Sequence, residues 1–253
     1  MLTVPSEERR CLPLSTADVA VRATEDGAER FVGYAAVFNR RTAIGDPLRW
    51  GFYEEIAPGA FTKTLQEGDA RMLIDHNSYY VVSRVSAGTL RLAQDDHGLA
   101  VESDLDPELS YVRDLKANLR NNNITGMSFG FHVIKDDWRT ESIEVASHDG
   151  PVDIEVRTIR EVRLIEVSAV TFPAYEDTEA GLRSVASALA RRGDPTAIEQ
   201  RAAHRPELLD LLRSTGEPAR TTRREPAAEP AATTRQLLSL RLQALAARYG
   251  LPH

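Results

Sequence analysis

Residues 152–175, VDIEVRTIREVRLIEVSAVTFPAY, form 24 residues of β-branched and charged alternation ended by Pro173. Because side chains of period two fall on opposite faces, such a run reads as one long strand or two paired ones. Strand patterns recur in RFVGYAAVFN (30–39), ARMLIDHN (70–77) and ITGMSFGFHVIKDDW (124–138). TLRLAQDDHGLAVESDL (89–105) reads as a hairpin turning through Asp95, Asp96, His97 and Gly98. Helical signals are fewer. PGAFTKTLQEG (58–68) is bracketed by Pro and Gly, and PELSYVRDLKANLRNN (107–122) spaces Leu109, Val112, Leu115 and Leu119 for one face. With no regular βαβ alternation, the expected body is an α+β domain built on a mostly antiparallel, closed sheet.

The chain divides by composition. Residues 185–253 carry 11 Arg against 7 Asp and Glu within a 253-residue chain of net charge −7, so the part before them is strongly acidic. That part also holds nearly all the aromatics. In the tail, the Pro/Ala/Thr stretch EPARTTRREPAAEPAATTR (217–235) cannot bury a core, and it separates two amphipathic runs, PTAIEQRAAHRPELLDLLRS (195–214) and RQLLSLRLQALAARYG (235–250). The expected organisation is an N-terminal arm (1–29), a catalytic domain (30–184) and a removable helical and Pro/Ala-rich tail (185–253). TEAGLRSVASALARR (178–192) reads as the first tail helix.

Charge and cysteine content narrow the function. The acidic balance argues against a body that coats nucleic acid or an anionic membrane, so neither partner is expected. Cys11 stands alone among the 253 residues, which rules out an internal disulfide and a thiolate zinc site. His97 and His148 lie in polar, turn-like segments without ligand spacing, so no metal and no cofactor is expected. No signal peptide or membrane span is expected either, since the first residues lack an apolar core and no apolar run reaches about 18 residues.

Three polar residues stand within apolar strands. His76 follows Met72 and Ile74 in alternation, which puts it on their face at the strand end; a core histidine satisfied by backbone would look the same. In GMSFGF, Met127, Phe129 and Phe131 take one face and leave Ser128 and Gly130 on the other. A nearly bare face around one hydroxyl suits a nucleophile that a substrate backbone approaches, or close packing by another element. Glu166 shares a face with Val162, Leu164, Ser168 and Val170 and is expected to be buried, paired with an imidazole or an arginine. Together the three supply an acyl-transfer set: Ser128 as nucleophile, His76 as general base then acid, Glu166 orienting the imidazole. A non-enzymatic capsid scaffold or assembly protein would account for the tail but not for GMSFGF beside a buried Glu. A glycosidase built on Asp104 and Asp106 has only charge density in its favour.

The blocks GYAAVFN, EEIAPGAFTKTL, IDHN, GTLRL, ITGMSFGF and IREVRLIEVSAVTFPAY, in that order over roughly residues 30–184, resemble those of the prohead proteases of tailed bacteriophages. Those proteases are similar in fold to the herpesvirus assemblins, whose β-barrel is surrounded by helices. The resemblance implies a serine endopeptidase that cuts scaffold and major capsid protein segments, and its own tail, inside the procapsid in the host cytoplasm, acting as a homodimer. It assigns His76 to the family's histidine block, Ser128 to the serine of G-M-S-F-G-F and Glu166 to the acidic position of L-x-E-V-S, where assemblins use a second histidine. IDHN stands where the commoner order is N-H-D, which leaves the roles of Asp75 and Asn77 open.

Overall fold

The computed structural model describes residues 7–25, 27–146, 150–172 and 179–216. Along the chain run β1 (Glu8–Pro13), the single turn α1 (Leu14–Ala17), β2 (Ala20–Ala23), β3 (Glu29–Val37), β4 (Thr42–Ile44), β5 (Phe52–Ile56), α2 (Thr62–Glu67) and β6 (Arg71–Ile74). There follow β7 (Asn77–Arg84), β8 (Leu90–Gln94), β9 (Gly98–Asp104), α3 (Ser110–Arg120), β10 (Gly126–Glu144), β11 (Pro151–Val170), α4 (Glu179–Arg192), α5 (Pro195–Ala202) and α6 (Glu207–Gly216). The α+β class stands, and no helix among the described residues is long and apolar enough to cross a membrane.

The closed, mostly antiparallel barrel does not. Two open sheets form instead, one of order β1-β10-β11-β5-β4 with β6 and β7 joined off β11, the other of order β2-β3-β9-β8. A barrel needs an unbroken ladder around its girth. Here β7 meets β9 through side chains, Ser83 Oγ to Ser103 Oγ at 2.6 Å, where a closed ladder would need backbone bonds. Nor is the pairing mostly antiparallel around β11. Both β5 and β6 run parallel to it, β5 against Val156–Ile159 and β6 against Glu166–Ala169, with α2 filling the interval between them. A strand of 20 residues is long enough to take two partners in succession along one edge.

The core is as the alternation implied: Met127, Phe129 and Phe131 from β10 join Phe31, Phe61, Met72, Val112 and Leu115 in one buried cluster. Two features depart from an apolar interior. Arg157 is fully buried and binds Glu8 and Glu54 at 3.0 Å each and Asp136 at 2.7 Å. Arg10 meets the same Glu8 and Glu54 at 2.6 Å. Burial favours a neutral Glu8, but the two guanidinium groups outweigh it and hold the carboxyl below its ordinary pKa. Losing one member of such a cluster strands a buried charge, at a cost of roughly 3–5 kcal/mol. The cluster therefore pins β1, which supplies Glu8 and Arg10, to the rest of the sheet.

The chain forms two compact units. The first comprises the described residues up to Thr42, Tyr53–Ser142 and Glu155–Tyr175; the second comprises Ala43–Phe52, Ile143–Ile154 and the described residues from Glu176 onward. Within the second, α5 is capped by Asp194, whose Oδ1 accepts from Thr196 N and Ala197 N. The amphipathic run 195–214 is two helices and not one, because Pro206 disfavours helical geometry in the residue before it. Arg205 stacks 4.9 Å from the Trp50 ring. The stretch 217–235 and the run 235–250 lie outside the described residues.

Candidate active site

The hairpin after β6 sets the first element of the site. Ile74 pairs with Asn77, so Asp75 and His76 are the two central residues of the turn, both left-handed at φ 49° and 58°. Positive φ at both positions is the geometry of a type I′ turn. The alternation through Met72 and Ile74 thus stops at Ile74, and His76 is a turn residue, not a strand-end residue on their face. Each left-handed non-glycine residue costs about 1–2 kcal/mol. The Asp75 carboxylate offsets that cost by accepting from Thr171 N at 2.7 Å and Thr171 Oγ1 at 2.9 Å. Asp75 N donates to Ala169 O at 3.0 Å and His76 N to Ser168 Oγ at 3.2 Å, which fixes the imidazole beside the end of β11.

On β11, Val162 and Leu164 lie in the core, and so do Val167 and Ala169. Glu166, Val167, Ser168 and Ala169 are all buried, so β11 is enclosed on both faces at this end. Glu166 is buried, and both its oxygens are used: Oε1 lies 2.7 Å from His76 Nδ1, and Oε2 accepts from Ser168 Oγ at 2.5 Å. Of the two partners weighed for this carboxylate, the imidazole is the one present.

On β10, Ser128 and Gly130 face away from the aromatics. A Cβ at Gly130 would stand 2.5 Å from Glu166 Oε1, so only glycine lets the carboxylate approach the strand. Ser128 is fully enclosed, and its Oγ has no hydrogen-bond partner. Beyond it, β1 runs antiparallel to β10 with Cys11 opposite Ser128. His76 and Glu166 are thus joined directly, whereas Ser128 is brought to the same region without a bond to either.

Three participants escaped the reading of the sequence: Cys11, Asp75 and Ser168. Ser168 had a signal, since its i+2 spacing from Glu166 puts both on one strand face. Asp75 carried a weaker one, in the preference of Asp for left-handed turn positions. Cys11 had none, because it arrives through the register of β1 on β10.

The electrostatics favour a charged imidazole. Burial, the largest influence, pushes the His76 pKa down, but the bonds to Cys11 and Glu166 and the Glu166 charge overcome it and push the value up to about 9, with Arg9 opposing weakly. A raised folded-state pKa adds stability that is fully present below the unfolded value near 6.5 and is lost as pH rises through about 9. An NMR titration of the His76 ring should accordingly show a midpoint near 9. A midpoint at or below the ordinary imidazole value would mean that the contacts with Glu166 and Cys11 do not hold in solution.

A buried carboxylate on an imidazole, beside an unbonded serine hydroxyl, is the equipment of nucleophilic acyl transfer. Comparison with known proteins agrees. Residues 17–191 match the family model described as caudovirus prohead serine protease. The chain is 33% identical over 178 residues to the prohead protease of Enterobacteria phage HK97, covering 69% of this chain and 68% of that protein. Among solved structures it is similar to the bacteriophage T4 capsid assembly protease gp21, with TM-score 0.34 and 10% identity, over 64% of this chain and 98% of that one.

Proposed function

The chain belongs to the caudovirus prohead serine protease family and is a serine protease of capsid maturation, and from that premise we propose that Ser128, His76 and Glu166 carry its chemistry. Ser128 Oγ passes its proton to the imidazole and attacks the scissile carbonyl, the imidazolium then protonates the departing amine, and water hydrolyses the acyl-enzyme by the same route. Glu166 on Nδ1 selects the tautomer whose Nε2 is free to act as base and stabilises the cation that forms. The single observation that carries this reading is the 2.7 Å contact of His76 Nδ1 with Glu166 Oε1 on the strand next to the one bearing Ser128.

The enzyme is phage-encoded and acts in the procapsid, within the host cytoplasm. Its substrates are a scaffold segment of the major capsid protein or a separate scaffold protein, and its own residues from about 185 onward. The Pro/Ala/Thr composition of 217–235 supports self-removal, since such a stretch offers a protease accessible backbone. Co-expression with the capsid protein followed by intact-mass measurement tests both substrates: the capsid protein should lose a terminal segment and the protease its C-terminal residues. Shells that assemble with both masses unchanged would overturn the proposal.

A further inference from the structure

The turn that carries His76 is fastened to the end of β11, and one of the fastenings reaches further than the others. Asp75 N donates to Ala169 O, and the Asp75 carboxylate accepts from Thr171 N and Thr171 Oγ1. Those bonds hold the turn alone. The bond from His76 N at 3.2 Å instead ends on the Ser168 hydroxyl, which also lies 2.5 Å from Glu166 Oε2.

A serine hydroxyl has one proton to donate and lone pairs with which to accept. At Ser168 the His76 amide supplies the incoming donor, so the hydroxyl proton goes to Glu166 and commits Oε2 as an acceptor. Oε1 is left for the imidazole, 2.7 Å from His76 Nδ1. The contacts close a ring, from the backbone amide of His76 through the Ser168 hydroxyl and the two carboxylate oxygens to the imidazole of the same residue. Such a ring fixes the imidazole against both its own backbone and its counter-charge. Ser168 is itself well anchored, since it is fully buried, its neighbours Val167 and Ala169 lie in the core, and it pairs with Leu73 of β6. Its hydroxyl is a fixed point out of reach of a substrate.

We propose that Ser168 is a positioning residue for the reaction: its hydroxyl locks the Glu166 carboxylate and the His76 turn to each other, so that the imidazole stands with Nε2 free to act as base. The inference rests on the assignment of His76 and Glu166 made above and adds the group that keeps the two in register. Without the hydroxyl, the amide and Oε2 lose their common partner. The carboxylate can then turn about its Cγ–Cδ bond, and the turn can draw away from β11.

Titration of His76 by NMR and the rate at which a fluorophosphonate labels Ser128, measured on the parent, Ser168→Ala and Ser168→Thr, test this. Glu166 from β11 and Cys11 and Arg9 from β1 act on the imidazole, the Asp75 carboxylate is turned to Thr171, and neither substitution alters any of them. In Ser168→Ala the His76 midpoint should fall from about 9 toward the ordinary value near 6.5, because the carboxylate is no longer held on Nδ1. Labelling, compared on the alkaline plateau where each imidazole is neutral, should slow on the order of 10^2-fold, the loss that a misplacement of about 1 Å brings. Ser168→Thr keeps the hydroxyl and should restore both readouts. Parental midpoint and plateau rate in Ser168→Ala would overturn the proposal, as would a midpoint that rises, since a carboxylate held elsewhere and merely relieved of one donor is a stronger partner for the imidazole. Slower labelling with an unmoved midpoint would overturn it too, and so would a folded threonine variant that behaves like the alanine one. Failure of Ser168→Ala to fold would assign the hydroxyl to the sheet and not to the site; if Ser168→Thr alone fails to fold, through its extra methyl, the alanine readouts decide. Should the midpoint fall as expected while Ser128 is labelled in none of the three, the positioning of the imidazole by Ser168 stands and the nucleophile assignment fails.

Discussion

Ser128→Ala is expected to abolish cleavage while making the protein more stable. Loss of a triad serine costs on the order of 10^6 in rate. Stability should move the other way, because Ser128 Oγ is enclosed without a hydrogen-bond partner and a buried unsatisfied hydroxyl costs roughly 1–3 kcal/mol. Alanine removes that oxygen, breaks no bond and leaves a cavity of at most one atom. Urea unfolding of the two proteins, run beside a capsid-cleavage assay, measures both effects. Cleavage by Ser128→Ala at the parental rate would remove this serine from the mechanism. A marked loss of stability would mean that the hydroxyl is bonded after all.

Glu166→Gln should be the next most damaging change, with a loss of about 10^4 in kcat by analogy with other triads whose acid is made neutral. The geometry explains why an amide is a poor substitute. Glu166 presents one oxygen to His76 Nδ1 and the other to the Ser168 hydroxyl, and a carboxylate can accept from both. Glutamine has one acceptor and one donor end, so it can serve either the imidazole or Ser168 in this way but not both. If its NH2 faces Nδ1, the imidazole is held in the wrong tautomer; if its oxygen does, Ser168 loses its acceptor and with it part of the support of the His76 backbone. In either orientation the imidazolium loses its counter-charge and the His76 pKa falls from about 9. Glu161→Gln is the matched control, because that carboxylate pairs with Lys135 at 2.7 Å and lies apart from the imidazole. Full activity of Glu166→Gln together with an inactive Glu161→Gln would show that the other carboxylate of this strand is the one that matters.

These predictions use residues whose identity was legible in the sequence and whose relations were not. The bare face of GMSFGF could be read because period-two alternation is local: Phe129 and Phe131 entered the core, and Ser128 and Gly130 left it. The hairpin of β8 and β9 followed for the same reason, its turn closed by Asp95 accepting from His97 N and Gly98 N. Alternation failed at His76. A tight turn reverses the chain after Ile74, and it leaves no mark that spacing alone can register.

Sheet closure went wrong on the same ground. A strand pattern states which residues lie on one face but not which strand lies at either edge, and pairing partners far apart in sequence are chosen by the packing of the whole sheet. β11 took β5 and β6 as parallel neighbours through α2, an arrangement to which the strand runs themselves are indifferent. By itself the sequence determined the α+β class and singled out the three residues proposed to carry the chemistry, because each depends on short-range periodicity and on side-chain type. Only the tertiary structure decided that the sheets stay open, that Gly130 makes room for Glu166, that Asp75 holds the strained turn, and that Cys11 comes to lie opposite Ser128. Those depend on strand register and on the direction in which buried polar groups find partners, and both are settled by the cost of leaving a charge or a hydrogen bond unsatisfied in the interior.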